Sequence, residues 1–208
     1  MVDRLPQLLR ADAADNRERV LDSARLLFAQ RGLEVPMREI ARKAEVGPAT
    51  LYRRFPTKQA LIDAAFADEL LACQGIVREG YEDVDPWRGF CSVIMRIGEL
   101  NARNHGFIDA FLSTFPDAID IAAHREGMLR SLADLARRAK QVGALRGDFV
   151  LDDFVLILMA GRGLTASNPQ ARVDAARRFS ALAIEAFRAT GSPGELPPPA
   201  RLTAVQTP

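Results

Sequence analysis

Cysteine, histidine and tryptophan are nearly missing from this chain, and each shortage narrows what it is. Two cysteines, Cys73 and Cys91, cannot build a disulfide framework, which points to an intracellular compartment. Two histidines, His105 and His124, stand nineteen positions apart with no cysteine or carboxylate at ligand spacing, so no metal site is expected. No long hydrophobic run exists: the longest, Phe154 to Gly161, falls far short of the ~18–20 residues that span a bilayer. Met1 to Pro6 lacks the apolar stretch of a signal peptide, and a cytoplasmic location is expected. Net charge is also small, at +1 over 208 residues, and by itself gives no hint of nucleic acid.

That small charge hides an uneven distribution. Between residues 16 and 58 there are ten Lys/Arg against five acids, a local +5, so the rest of the chain carries −4. A basic module on a mildly acidic body is the pattern of a phosphate-binding head joined to a regulatory domain.

Hydrophobic periodicity predicts an all-α fold of about nine helices. Residues 1–14 show no sustained period and read as a mobile leader. Asp15 and Glu18 have capping-box spacing and open a helix bearing Val20, Ala24, Leu27 and Phe28, closed by Gly32. A short helix follows from Met37 to Ala44. After a break at Glu45-Val46-Gly47, Pro48 is suited to the first turn of a third helix reaching Phe55. Thr57 is the expected N-cap of a long fourth helix running toward Glu79. The body, residues 61–190, contains an amphipathic segment with Trp87, Phe90, Ile94 and Ile97 on one face. Asp117 is read as the cap of a long helix ending at Gly143. Residues 151–164 are apolar on nearly all sides and so predict burial against several neighbours. Asn168-Pro169 caps a last helix, which Gly191 ends. Residues 191–208 are proline-rich with little hydrophobic bulk, as in a disordered tail.

Two short helices joined by a three-residue break are a helix-turn-helix candidate, which sets a DNA-binding domain at residues 15–60. Leu51 and Phe55 lie i, i+4 on the face expected to turn back toward Ile40 and Phe28. This leaves Ala49, Thr50, Arg53 and Arg54 outward. Small side chains at the start of the second helix let its backbone approach a major groove, where the Thr50 methyl and hydroxyl meet a base edge or a phosphate. Tyr52 offers a hydroxyl to a phosphate, and Lys58 in the next helix's first turn supplies a cation beside free N–H groups.

The stretch from Val35 to Leu61 closely resembles the TetR-family DNA-binding domain. The likeness rests on Ile40-Ala41, Thr50-Leu51-Tyr52 and Phe55-Pro56-Thr57-Lys58, with Phe28 and Gly32 in the preceding helix. It covers about residues 16–62. It implies a homodimer on a double-stranded DNA operator, paired through the last two helices (151–164 and 169–189). It also implies a body that binds an unidentified small-molecule effector and releases the DNA, as a repressor does. Carried over by position, the DNA contacts are Arg38, Gly47, Pro48, Ala49, Thr50, Tyr52, Arg53, Arg54 and Lys58. Two departures stand out. Glu45 occupies a turn where the family often has glycine, which makes a left-handed conformation there costlier. Pro48-Ala49 replaces a commoner basic start.

Effector-lining candidates are Trp87, Met95, Phe107, Phe111, Phe115, Met128 and Arg162, with Arg96, Asn101 and His105 as further polar partners. Gly161-Arg162-Gly163-Leu164-Thr165-Ala166 matches a dinucleotide fingerprint in letters only, because its glycines close a helix instead of opening one after a strand. No catalytic constellation or cofactor motif is present, and the chain is not expected to be an enzyme.

Overall fold

The computed structural model describes residues 4–104, 107, 119–190, 194 and 196–199, and among these it contains nine helices and no strand. In chain order they are α1 (Arg4–Arg31), α2 (Met37–Lys43), α3 (Pro48–Arg54), α4 (Lys58–Ala65), α5 (Ala67–Glu82), α6 (Pro86–Arg103), α7 (Ile119–Gln141), α8 (Leu151–Gly161) and α9 (Pro169–Phe187). The head is α1–α4. In the body, α6 runs centrally against α5, α7, α8 and α9.

The first helix begins at Arg4, not at Asp15, so Asp15 and Glu18 lie inside it and form no cap. Pro6 falls in the first turn, where no N–H is needed, and the alanines that follow favour helix. The other end behaves as read: Gly32 takes φ +75°, and its N–H bonds to the Phe28 carbonyl at 2.9 Å.

The long fourth helix predicted from Thr57 toward Glu79 is instead two helices, broken at Phe66 (φ −115°, ψ 14°). Phe66 has no exposed surface, and its ring lies 6.1 Å from Phe28 and 6.2 Å from Phe107. Seating that ring between the cores of head and body redirects the chain, and one buried cluster runs unbroken through both.

Helix caps match local sequence well. Thr57 accepts from the Ala60 N–H at 3.0 Å, and Asn168 from the Ala171 N–H at 2.9 Å ahead of Pro169. Asp153 accepts from the Val150 N–H at 2.8 Å, a structural use for the acidic start of α8. The predicted end at Gly191 lies several residues beyond the real one: α9 stops at Phe187, and Leu145 pairs with Arg188 in an antiparallel bridge. Arg146 then ties the tail's start to the body, donating to the Gly194 carbonyl at 3.0 Å and the Ala186 carbonyl at 3.2 Å while two further bonds hold Asp148.

The segment expected to be buried all round is not. Leu156 and Met159 of α8 are 56% and 42% exposed, and Leu182 of α9 is 58% exposed. Apolar composition alone does not say whether the covering surface belongs to the same chain.

Candidate nucleic-acid interface

Burial of Ile40, Ala41 and Ala44 on one side and Leu51 and Phe55 on the other locks α2 and α3 against Phe28. The turn between them is a glycine-type helix stop made without glycine. Val46 N–H reaches back to the Ala41 carbonyl at 3.0 Å, and Glu45 adopts φ +55°. This is a Schellman closure with the left-handed position filled by glutamate. Such a conformation costs an L-residue roughly 1–2 kcal/mol, part of which glycine returns through its looser unfolded chain. Glu45→Gly is therefore expected to stabilise the head by about 0.5–1 kcal/mol. Thermal unfolding checks this, and a loss of stability would show that Glu45 is held by something other than backbone geometry.

With Leu51 and Phe55 turned inward, α3 presents Pro48, Ala49, Tyr52 and Arg53 to solvent, with Thr50 and Arg54 half-buried at its sides. Tyr52 is 50% exposed, unusual for a large ring on a folded surface. Gly47 is the N-cap of α3 and offers no side chain there. Arg38 sits exposed in the first turn of α2. Among the described residues Arg38, Arg42, Lys43, Arg53 and Arg54 form no salt bridge, while Arg38 and Arg42 lie within electrostatic reach of Glu39. Lys58, the first residue of α4, lies 3.9 Å from Glu34, a loose contact with a carboxylate that is 88% exposed. Arg31, farther from α3, is matched with Glu39, whose carboxyl it holds below the usual carboxylate range by hydrogen bonding. Arg25 donates to the Ala65 carbonyl at 2.7 Å and ties α1 to the end of α4. The helix-turn-helix is thus backed by packing and by structural arginines, while the cations around α3 stay available.

This arrangement falls within residues 20–65, which match the family model for bacterial regulatory proteins of the tetR family. The chain belongs to the TetR family. The HTH-type transcriptional repressor KstR of Rhodococcus jostii is 43% identical over 56 residues, 26% of each chain, so the chain spans about a quarter of that curated relative's length. Among solved structures, the TetR regulator SCO0520 of Streptomyces coelicolor shares 28% identity over 84% of this chain and 99% of its own, with a TM-score of 0.51. KstR2 of Mycobacterium tuberculosis, described as a ketosteroid transcriptional regulator, has a TM-score of 0.65 at 20% identity, covering 83% and 94% of the two chains. PfmR of Thermus thermophilus gives 0.63 at 19%, covering 80% and 97%. These last two establish the fold alone.

In this TetR-family body the effector candidates do not all converge. Phe107 and Met128 line one dry crevice together with Cys73, Val77, Ile97, Leu129, Leu132, Phe154 and Leu158. Its free space is about 10 Å³, room for no more than a water. Trp87 lies elsewhere, near the start of α6, stacked on Phe90 at 5.9 Å with the Arg188 guanidinium 5.1 Å from its ring. The length of α6, 18 residues or about 27 Å, separates it from Phe107. Met95 packs on the core away from the crevice, and Arg162 is an exposed residue at the C-cap of α8. Phe111, Phe115 and His105 lie outside the described residues. Asn101 lines a second crevice, between α6, α8 and α9, where its buried Oδ1 has no hydrogen-bond partner among the described residues. Cys73 carries no sequence signal that would place it in the crevice wall. Burial pushes its thiol up to about 12, so it stays protonated and packs as an apolar group, and Cys91 follows at about 11. No cluster of metal-ligating side chains and no helix long and apolar enough to cross a membrane occurs among the described residues.

Proposed function

We propose that this protein is a homodimeric DNA-binding repressor, released from its operator by a small molecule bound in the body. The observation that carries the reading is the outward face of α3. A half-exposed tyrosine and two arginines without salt bridges there stand on a helix whose other face is locked into the core. A phosphate backbone supplies partners for both the arginine cations and the tyrosine hydroxyl.

The roles divide by chemistry. Arg38, Tyr52, Arg53, Arg54 and Lys58 contact phosphates and set the register, Lys58 after exchanging its loose hold on Glu34. Gly47, Pro48 and Ala49 allow close approach, and Thr50 reads a base edge. Dimerisation through α8 and α9 covers Leu156, Met159 and Leu182, the large apolar side chains these two helices leave in water. Two heads would then meet successive major grooves about 34–36 Å apart. Repression is supported by the name of the R. jostii relative. Because that match spans only a quarter of the chain, the effector is not carried over with it.

Footprinting on the DNA upstream of the protein's own reading frame tests the proposal, and two protected half-sites one helical turn apart are expected. Tyr52→Phe and Lys58→Ala are each expected to weaken binding to operator and random DNA alike, by about tenfold. Lys58→Ala also reduces the salt slope by about one. Thr50→Ala shifts base preference instead. No sequence-selective protection at low salt, or equal effects of all three substitutions on both DNAs, would refute the assignment.

A further inference from the structure

Among the described residues, an open groove between α5 and α7 has room for a ligand where the dry interior has not. It measures about 360 Å³ and is lined by Gln74, Val77, Arg78, Tyr81, Gly127, Met128 and Ser131. Two of these residues, Val77 and Met128, also line the closed apolar crevice behind it. Both are buried, at 4% and 7% exposure, so they form a floor common to a wet outer space and a dry inner one.

The two spaces differ in chemistry. The inner crevice exposes no polar surface at all. Outside, the Arg78 guanidinium is exposed and makes no salt bridge among the described residues, while Gln74 and Ser131 add hydrogen-bonding groups and the Tyr81 hydroxyl donates to the Asp134 carboxylate. Nearby acids are paired with other cations, although Glu79 also lies within electrostatic reach of Arg78. Glu79 pairs with Arg96, Glu126 with Arg130 and Asp134 with Arg137, and no salt bridge joins Arg78 to Glu82. Tyr81 is fixed as one wall by Arg138, which donates to its carbonyl at 2.7 Å and lies 5.4 Å from its ring. On the other wall Gly127 has nothing within 4 Å of where a Cβ would stand, so the groove is open there.

We infer that the groove and crevice together form one site for an amphipathic anion with a narrow, unbranched apolar tail. The carboxylate or phosphate end binds Arg78 in the groove. The tail displaces the flexible Met128 side chain and fills the space between Phe107, Leu132 and Phe154. A narrow tail is favoured because the closed inner space measures only about 10 Å³, so the crevice opens around the ligand and each added width separates α5 further from α7. This assignment rests on the ligand-response reading above, but its test does not.

Calorimetric titration of the full chain with octanoate, decanoate and 1-decanol examines it. Decanoate is expected to bind more tightly than octanoate by about fourfold per added methylene, since each enters a dry space. Arg78→Ala is expected to weaken decanoate by about tenfold or more and to leave decanol unchanged, with Arg78→Lys restoring most of the loss. An unaltered melting curve for Arg78→Ala separates binding from folding. The inference is overturned if decanoate fails to bind saturably, if chain length has no effect, or if Arg78→Ala weakens both probes equally. Gel shifts with operator DNA keep the two readings apart. Release by decanol alone, independent of Arg78, would sustain ligand-controlled repression and overturn this site. Arg78-dependent decanoate binding without release would sustain the site and count against its coupling to DNA.

Discussion

Phe66→Ala is expected to lower the stability of the whole protein by about 3–5 kcal/mol, the range for removing a fully buried aromatic ring. For a chain of this size that corresponds to a fall in Tm of about 6–20 °C. Position matters here as much as volume. Phe66 has no exposed surface and stands at the break between α4 and α5, touching Phe28 of the head at 6.1 Å and Phe107 of the body at 6.2 Å. Its loss opens a void shared by two cores that otherwise form one cluster. Unfolding followed by circular dichroism should therefore also broaden, because head and body lose the packing that makes them melt together. If the ring merely filled space in one module, the transition would shift without broadening. A loss below about 1 kcal/mol would mean that the junction collapses around the gap.

Gly89→Ala is expected to destabilise by about 2–3 kcal/mol or more, even though alanine is favoured over glycine in a helix by roughly 1 kcal/mol. A Cβ built on Gly89 would stand 2.1 Å from the Gly80 carbonyl oxygen and 3.1 Å from the Asp83 Cβ. Backbone, unlike the end of a side chain, cannot swing aside, so α5 and α6 must separate along their contact. Gly75 on α5 is the control, since nothing lies within 4 Å of its Cβ position. Gly75→Ala is expected to stabilise by about 0.5–1 kcal/mol. Chemical denaturation of the pair decides the matter: two stabilising substitutions would show that the α5–α6 contact is looser than the geometry states.

The same contact shows how far local reading reaches. In sequence Gly80 marks the end of a helix, because a residue without Cβ weakens helical order wherever packing is ignored. In the folded protein it lies inside α5 and serves close approach to α6. The role of Phe66 is hidden for a related reason. A phenylalanine in an apolar period looks like any other core position, and nothing local says that it faces two cores at once. The true start of the first helix is masked because Asp15 and Glu18 have the spacing of a start signal. A capping box is used only where the chain before it is not already helical.

Much of the head is legible. Leu51 and Phe55 are buried as their spacing requires, Thr57 caps the helix it precedes, and Glu45 takes the left-handed conformation its position in the turn demands. These features depend on neighbours within one or two turns, and such interactions are written in the order of residues. The body is less legible because its properties depend on which distant surfaces meet. Trp87 and Phe107 both belong to aromatic-rich stretches, yet the length of α6 keeps them apart. Leu156 and Leu182 are as apolar as any core leucine, and only the packed chain shows them facing water.

Sequence alone, then, determined an all-α chain with a basic helix-turn-helix head, because periodicity, capping and charge act over a few residues. Tertiary structure decided the rest. It broke α4 from α5 at Phe66, pressed α5 to α6 through two glycines, and set a wet groove against a dry crevice across Val77 and Met128. Each of these arises from contact between helices far apart in the chain, where free energy is set by complementary shape and not by the pattern of any one segment.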